Sequence, residues 1–157
     1  MSDSDSIKRG TGPAACSTSL PTSIGLLILR VATGAMLASL HGWSKLSGFG
    51  ALRESFPDPI GLGPTLSLSL ATGAEFFCSI LIVLGLFTRL AAIALVINMA
   101  VAAFIALGGA PWAKKELALL YLVPFVTLLL TGGGRLSLDA LIFKRRAPTP
   151  ADLESPG

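Results

Sequence analysis

The sequence predicts an all-α membrane protein: an antiparallel four-helix transmembrane bundle with a short C-terminal amphipathic segment. Hydrophobic residues occupy 52% of the 157 positions and charged residues only 13%, whereas soluble domains usually carry about a quarter charged residues. The mean hydropathy is +0.75. Four apolar stretches lie at residues 23–46, 66–86, 90–107 and 116–131. Each approaches the roughly 20 residues that a helix needs to cross about 30 Å of hydrocarbon.

The segments outside the bundle are polar or small-residue tails. Residues 1–21 are rich in Ser, Gly, Pro and Thr and lack the early apolar core of a cleavable signal peptide, so they are predicted to be a disordered cytoplasmic tail. Residues 22–144 form the predicted transmembrane domain, and residues 145–157 a second disordered tail. Cys16 and Cys78 form neither a Cys-x-x-Cys pair nor a zinc spacing, so no thiol redox pair or metal site is predicted.

The first apolar stretch carries a polar stripe. Pro21 suits the first helical position, where its missing N–H costs no hydrogen bond. After it, residues spaced by three or four positions share one helix face. They are Arg30, Gly34, Leu37, His41 and Lys45.

The connections between the helices differ in length. Residues 47–65 contain three prolines and several glycines, so they are predicted to fold as a cap on the outer side. Residues 85–89 make a tight turn that joins the second and third helices into an antiparallel hairpin. Glycines at 132–134 stop the fourth helix, and Ser137 or Asp139 is expected to cap a short amphipathic helix on the inner membrane face.

Basic residues predict the orientation in the membrane. With four spans both termini lie on one side, and seven Lys and Arg residues fall there, against four on the other side. The positive-inside rule then favours cytoplasmic termini. The basic residues are not clustered as in nucleic-acid binders, so a nucleic-acid partner is not expected.

Arg30 and Glu75 are ionisable residues inside apolar stretches, where charges are rare and usually functional. Counting a rise of about 1.5 Å per residue from the inner end of each helix places Arg30, Glu75 and Asn98 in one layer. The expectation is that Arg30 and Glu75 meet. Their pair is either a buried ion pair that sets the helix register or part of a functional site, and Asn98 is either a ligand or interhelical glue.

A second polar cluster is predicted nearer the outside. Its members come from the first and fourth helices: His41, Lys45, Glu116 and Tyr121. Together the two clusters outline an internal path open to the extracytoplasmic side, suited to a proton relay, a polar small molecule or a quinone headgroup. The alternative roles are an interface anchor for Lys45 and a packing residue for Tyr121. His41 is the only histidine, which argues against a bis-histidine heme.

With these residues in place, the chain resembles the DoxX family of small four-helix membrane proteins, over about residues 24–142. The matching runs are Leu-Arg-Val-Ala-Thr-Gly at 29–34, His-Gly-Trp-Ser-Lys-Leu at 41–46, Ala-Glu at 74–75, Gly-Leu-Phe-Thr-Arg at 85–89, Lys-Glu-Leu-Ala-Leu-Leu-Tyr at 115–121 and Gly-Gly-Gly-Arg-Leu-Ser-Leu-Asp at 132–139. The resemblance implies a cytoplasmic-membrane bundle associated with quinone-linked oxidoreductases and redox-protective complexes. It carries over five polar positions: Arg30, His41, Lys45, Glu75 and Glu116.

The expected function is that of an inner-membrane subunit of a quinone-linked oxidoreductase. Glu75 and His41 are the predicted proton-exchanging groups, and Arg30 would orient a carbonyl or stabilise Glu75. The remaining predicted substrate-binding residues are Asn98, Lys45, Glu116 and Tyr121. Quinone is the expected cofactor, while flavin, iron–sulfur or heme would belong to a membrane or peripheral redox partner, because the sequence has no motif for them.

Two other functions stay open at this point, and so does the question of whether the chain is catalytic. One is a non-catalytic adaptor or assembly protein that uses residues 47–65 and the basic C-terminal segment. The other is a small transporter for a polar solute. Gly34 and Ala38 permit close helix packing, either within the chain or in a homo-oligomer.

Overall fold

The computed structural model describes residues 20–143, and all regular structure in that range is helical. Its six helices are α1 Leu20–Ser47, α2 Phe49–Leu52, α3 Pro64–Leu84, α4 Thr88–Ala106, α5 Trp112–Thr131 and α6 Leu138–Phe143. The prediction of an all-α protein is therefore confirmed. The predicted tails at residues 1–21 and 145–157 lie outside the described residues, except for Leu20 and Pro21, which are helical.

Within the described range, α1, α3 and α4 are long and apolar enough to cross a membrane. Their mean hydropathies are 1.8, 1.8 and 2.2. Helix α5 also has 20 residues, but Lys114, Lys115 and Glu116 near its start make it more charged than the other three. The chain is thus a multi-pass membrane protein in which three helices meet the requirements for a span.

Glycines on α1 set its packing against α3. A Cβ atom on Gly34 would lie 2.8 Å from Val83 Cγ2 and 3.0 Å from the Ser79 carbonyl oxygen. A Cβ atom on Gly42 would lie 2.8 Å from the Glu75 carbonyl oxygen. Since Gly34 meets the later part of α3 and Gly42 the earlier part, the two helices run in opposite directions. Gly34 therefore serves packing within the chain.

The other helices complete a shared core. Helix α4 packs along α5, and α5 also contacts α1. The core is formed by almost fully buried apolar side chains, including Leu37, Ile82, Leu95, Phe125 and Leu128. Many other large apolar side chains point outward, among them Ile28, Leu90, Leu120 and Leu130. Lipid tails are as apolar as leucine, so this surface suits contact with the bilayer.

The helices leave two ends, which we name by their residues. The terminal end holds Leu20, the turn at 85–87 and the glycines at 132–134, whereas the loop end holds Ser47, the segment 53–63 and the turn at 107–111. At the terminal end, Ser137 Oγ accepts a hydrogen bond from Ala140 N at 3.1 Å, which confirms it as the cap of α6. Asp139 acts elsewhere: it accepts hydrogen bonds from Phe87 N at 2.7 Å and Thr88 N at 2.9 Å and so caps α4.

Candidate functional site

Glu75 is the centre of a buried polar cluster. It is 5% exposed in the middle of α3. Its carboxylate forms an ion pair with Lys45 of α1 and accepts a hydrogen bond from Asn98 Nδ2 of α4 at 3.0 Å. A buried charge is tolerated only when it is paired and hydrogen-bonded, and both conditions are met here. We call Lys45, Glu75 and Asn98 the Glu75 cluster.

Each helix that contributes to the Glu75 cluster contains a π-helical turn. In α3 the turn spans Gly73–Cys78 and includes Glu75 itself. In α1 it spans Ala38–Gly42, one turn before Lys45, and in α4 it spans Val101–Ala106, just after Asn98. Such turns interrupt the regular hydrogen-bond ladder and occur frequently at functional sites. The turns of α1 and α3 pack against each other, with Gly42 on the backbone of Glu75.

The predicted meeting of Arg30 and Glu75 is wrong. Arg30 is buried, but its guanidinium donates to the Gly133 carbonyl oxygen at 2.9 Å and to the Leu136 carbonyl oxygen at the terminal end. Glu75 is paired with Lys45 instead. Of the three residues predicted to share one layer, the structure brings together Glu75 and Asn98 only.

The helix register explains this correction. The prediction counted depth in α1 from Ser23, as if that residue were level with the end of α3. In the structure Gly42 of α1 lies against Glu75, and Arg30 lies beside Gly85, where α3 ends. Twelve positions of α1 separate Gly42 from Arg30, which corresponds to about 18 Å along the helix at about 1.5 Å per residue. An arginine side chain does not span that distance.

The predicted outer cluster forms only in part. The rings of His41 and Tyr121 meet edge to face, with centroids 6.0 Å apart, and Tyr121 stacks on Phe125 at 6.3 Å. Tyr121 is buried and lies within electrostatic range of the Glu75 carboxylate. Lys45 belongs to the Glu75 cluster, and Glu116 is exposed near the start of α5. His41 and Tyr121 therefore flank the Glu75 cluster, while Glu116 stands apart from it.

A cavity of about 510 Å³ lies between α3 and α4, with the Glu75 cluster on its wall. Most of its lining is apolar or small. The lining residues of α3 and α4 include Leu70, Ala71, Ala74, Cys78, Ala94, Ile97, Val101 and Ala102. A predominantly apolar cavity with a few convergent polar groups is the usual form of a small-molecule site.

The segment at 53–63 lies over the loop end of this cavity. Phe56, Pro57, Pro59 and Ile60 all line it. The predicted cap is therefore present, and its apolar side chains lie over the cavity. Sequence reasoning did not assign these residues to the site. The available signal was the presence of apolar side chains among the prolines of a polar-looking loop.

Asp58 holds this segment in place. Its carboxylate accepts hydrogen bonds from Ser67 Oγ at 2.8 Å, from Gly63 N at 2.7 Å and from Leu62 N at 3.0 Å. The hydrogen bond from Ser67, followed by the backbone bond from Gly63, lowers the pKa of Asp58 below its ordinary value. The carboxylate form is thus the one that fastens the segment to the start of α3.

A family model for DoxX matches residues 25–108, a range that contains α3, α4 and every member of the Glu75 cluster. Two proteins of Haemophilus influenzae, both described as uncharacterized, are also similar. One is 31% identical over 140 residues, covering 85% of this chain and 92% of the relative. The other is 35% identical over 133 residues, covering 76% and 92%. No solved structure matches the chain. Because the family model covers more than half of the chain, and the first relative is similar over nearly its whole length, the chain belongs to the DoxX family.

Proposed function

We propose that this protein is a cytoplasmic-membrane subunit of a quinone-linked oxidoreductase or redox-protective complex, and that the Glu75 cluster binds the quinone headgroup. In this proposal α5 is the fourth span of an antiparallel four-helix bundle, and both termini face the cytoplasm. The observation that carries the proposal is a buried carboxylate, paired with Lys45 and Asn98, on the wall of an otherwise apolar cavity.

The donor set fits such a headgroup. Carbonyl oxygens need hydrogen-bond donors, and the Lys45 ammonium and Asn98 amide each have more N–H groups than their single bonds to Glu75 use. Hydroxyl groups need an acceptor, which the Glu75 carboxylate supplies. The cluster thus has partners for both the oxidised and the reduced headgroup, and the apolar lining suits the ring.

Proton exchange is the chemical role proposed for Glu75. A bound quinone would supply the electron- and proton-accepting chemistry. Glu75 is the acidic side chain on the cavity wall, and it is paired with Lys45 and hydrogen-bonded by Asn98. The adjoining Tyr121 and His41 are polar groups through which a proton would pass on toward α1 and α5. Arg30 has no part in this exchange, because it is held at the terminal end.

Electrons would come from a redox partner, since the chain carries no flavin, heme or iron–sulfur motif. The partner would be a membrane or peripheral protein, and a homo-oligomer is compatible with this arrangement. The adaptor alternative would use residues 47–65 as a free binding surface. Four apolar side chains of that segment line the cavity instead, which favours the site over the adaptor.

The test is quinone binding to the full chain in lipid nanodiscs, with the native protein, Glu75→Gln and Glu54→Gln. Glu54 is the matched control because its side chain is 84% exposed. Removing the buried charge should weaken binding of a benzoquinone analogue by about 10- to 100-fold, as expected for loss of a charged hydrogen-bonding group. Glu54→Gln should bind like the native protein. Equal binding by Glu75→Gln and native protein, or no binding by either, would contradict the proposal.

A further inference from the structure

The two helices that enclose the cavity separate toward the loop end. The first part of α4, Thr88–Ala100, packs against the π-helical turn of α3. Beyond that level, the start of α3 contacts the end of α1, whereas the end of α4 contacts α5. The cavity occupies the resulting cleft between α3 and α4.

The rim of this cleft is apolar and faces outward. Leu70 of α3 is 54% exposed and Ile97 of α4 is 58% exposed, and both line the cavity. Ser67 and Ser69, the two serines of α3 that line the cavity, are hydrogen-bonded within the protein. Ser69 Oγ donates to the Thr65 carbonyl oxygen at 2.8 Å, and Ser67 Oγ donates to Asp58. The hydroxyl groups at the rim therefore need no hydrogen bonds from water, and the rim can face hydrocarbon.

The aqueous route is covered at the same time. The loop-end segment lies over the cavity through Phe56, Pro57, Pro59 and Ile60 and is fastened by Asp58. Thr65 Oγ1 adds a hydrogen bond to the Arg53 carbonyl oxygen at 3.2 Å. A ligand thus meets the covering segment from the loop end and an apolar rim from the side.

We infer that the cavity opens sideways into the bilayer between Leu70 and Ile97, and that it takes a membrane-dissolved amphiphile. The ligand has a small polar head with hydrogen-bond acceptors, which reaches the Glu75 cluster, and an apolar chain that leaves through the cleft. The nature of the head rests on the proposed function, whereas the position of the opening does not.

Cys78 provides a native reporter, because it lines the cavity and is a free thiol. In a Cys16→Ser background in nanodiscs, Cys78 is treated with an N-dodecylmaleimide or with a charged, sulfonated maleimide, and the adduct is followed by intact mass. The alkyl reagent should label Cys78 at least tenfold faster. Glu54→Cys, in the exposed loop-end segment, serves as the positive control for the charged reagent.

The opening is then tested by narrowing it. Leu70→Trp and, separately, Ala102→Phe should slow alkyl labelling several-fold. Leu66→Trp, at an exposed position of α3 outside the cavity lining, should leave it unchanged. Equal rates for the charged and alkyl reagents would overturn a lateral opening. So would protection of Cys78 from both reagents, as expected if a second copy covers the cleft, or identical behaviour of Leu70→Trp and Leu66→Trp.

Whether the ligand needs an apolar chain is tested separately, with fully ring-substituted quinones that do not add to thiols. At equal mole fraction in the bilayer, a decyl-substituted benzoquinone should protect Cys78 at least tenfold better than the tetramethyl compound. Equal protection would remove the apolar chain from the ligand class. If neither protects although lateral labelling holds, the quinone head is wrong and the opening stands.

Discussion

In the structure Arg30 and Glu75 belong to two separate polar sites, although the sequence predicts that they meet. Lys45, rather than Arg30, balances Glu75, and Asn98 adds a neutral hydrogen bond. Arg30 instead satisfies carbonyl groups that follow the end of α5. Lys45 thus does more than anchor the helix at an interface. Breaking such a buried pair by removing one partner is costly, whereas replacing both partners can be nearly neutral.

A double substitution distinguishes a structural ion pair from a binding site. Lys45→Met alone leaves the Glu75 charge unpaired and should destabilise the fold by about 3–5 kcal/mol. The Lys45→Met/Glu75→Gln variant should recover most of that stability, measured by thermal unfolding in detergent, yet still fail to bind quinone. Recovery of quinone binding together with stability would mean that the pair serves only helix packing.

The position of the Glu75 cluster depends on close contact between α1 and α3. Gly42 brings the backbone of α1 against that of α3 at Glu75, and Gly34 does the same one level nearer the terminal end. The π-helical turns of both helices meet at this level. The orientation of the Glu75 cluster therefore depends on glycines, which let the backbones of α1 and α3 approach each other closely.

Gly42→Ala tests this dependence. The added methyl group would meet the Glu75 carbonyl oxygen and the Phe76 Cα at 2.8 Å, and rigid backbone cannot move aside cheaply. This overpacking should lower the free energy of unfolding by about 1–3 kcal/mol, as measured by thermal unfolding, and it should weaken quinone binding. Gly25→Ala on the same helix is the matched control, because nothing lies within 4 Å of its Cβ position. Equal stability of the two variants would show that the close approach is not required.

The hydrogen bonds by which Asp58 holds the segment at 53–63 can also be tested. Because the pKa of Asp58 is lowered in the folded state, mainly by Ser67, its stabilising effect is fully present above the ordinary carboxyl value of about 3.9 and is lost as the pH falls through the lowered folded value. Hydrogen exchange of residues 56–63 should therefore stay slow at neutral pH. Asp58→Asn should speed exchange at Leu62 and Gly63 there by about tenfold. Glu54→Gln is the control, and unchanged exchange in Asp58→Asn would contradict this role.

On the scale of the whole molecule, polar contacts fasten the two ends separately. At the loop end, Asp58 holds the cap over the cavity. At the terminal end, Arg30 ties α1 to the glycine segment at 132–134, and Asp139 ties α6 to the start of α4. Gly132 and Gly134 adopt positive φ angles of 77° and 75°, which lets the chain turn back from α5 to reach these partners.

Loosening the terminal end should leave ligand binding intact. Asp139→Ala removes two hydrogen bonds that cap α4 and should lower the free energy of unfolding by about 0.5–2 kcal/mol. Arg30→Gln should speed hydrogen exchange in residues 132–143. Both variants should bind quinone like the native protein, because the Glu75 cluster is about 18 Å away along α1. Arg53→Gln, at an exposed arginine, is the control for exchange. A tenfold loss of binding in Arg30→Gln would contradict the separation of the two ends.

The sequence by itself determined the helical segments and the polar residues to consider. In hydrocarbon every backbone group must be satisfied internally, so long apolar runs are obliged to form helices, and buried polar residues such as Glu75 and Asn98 stand out within them. Only the tertiary structure decided which charges meet. Register between helices depends on the contacts of Gly34 and Gly42 with α3, and the periodicity of a single helix carries no information on its neighbour's position. For the same reason, the cleft between α3 and α4 and its apolar cap became visible only once the helices were packed.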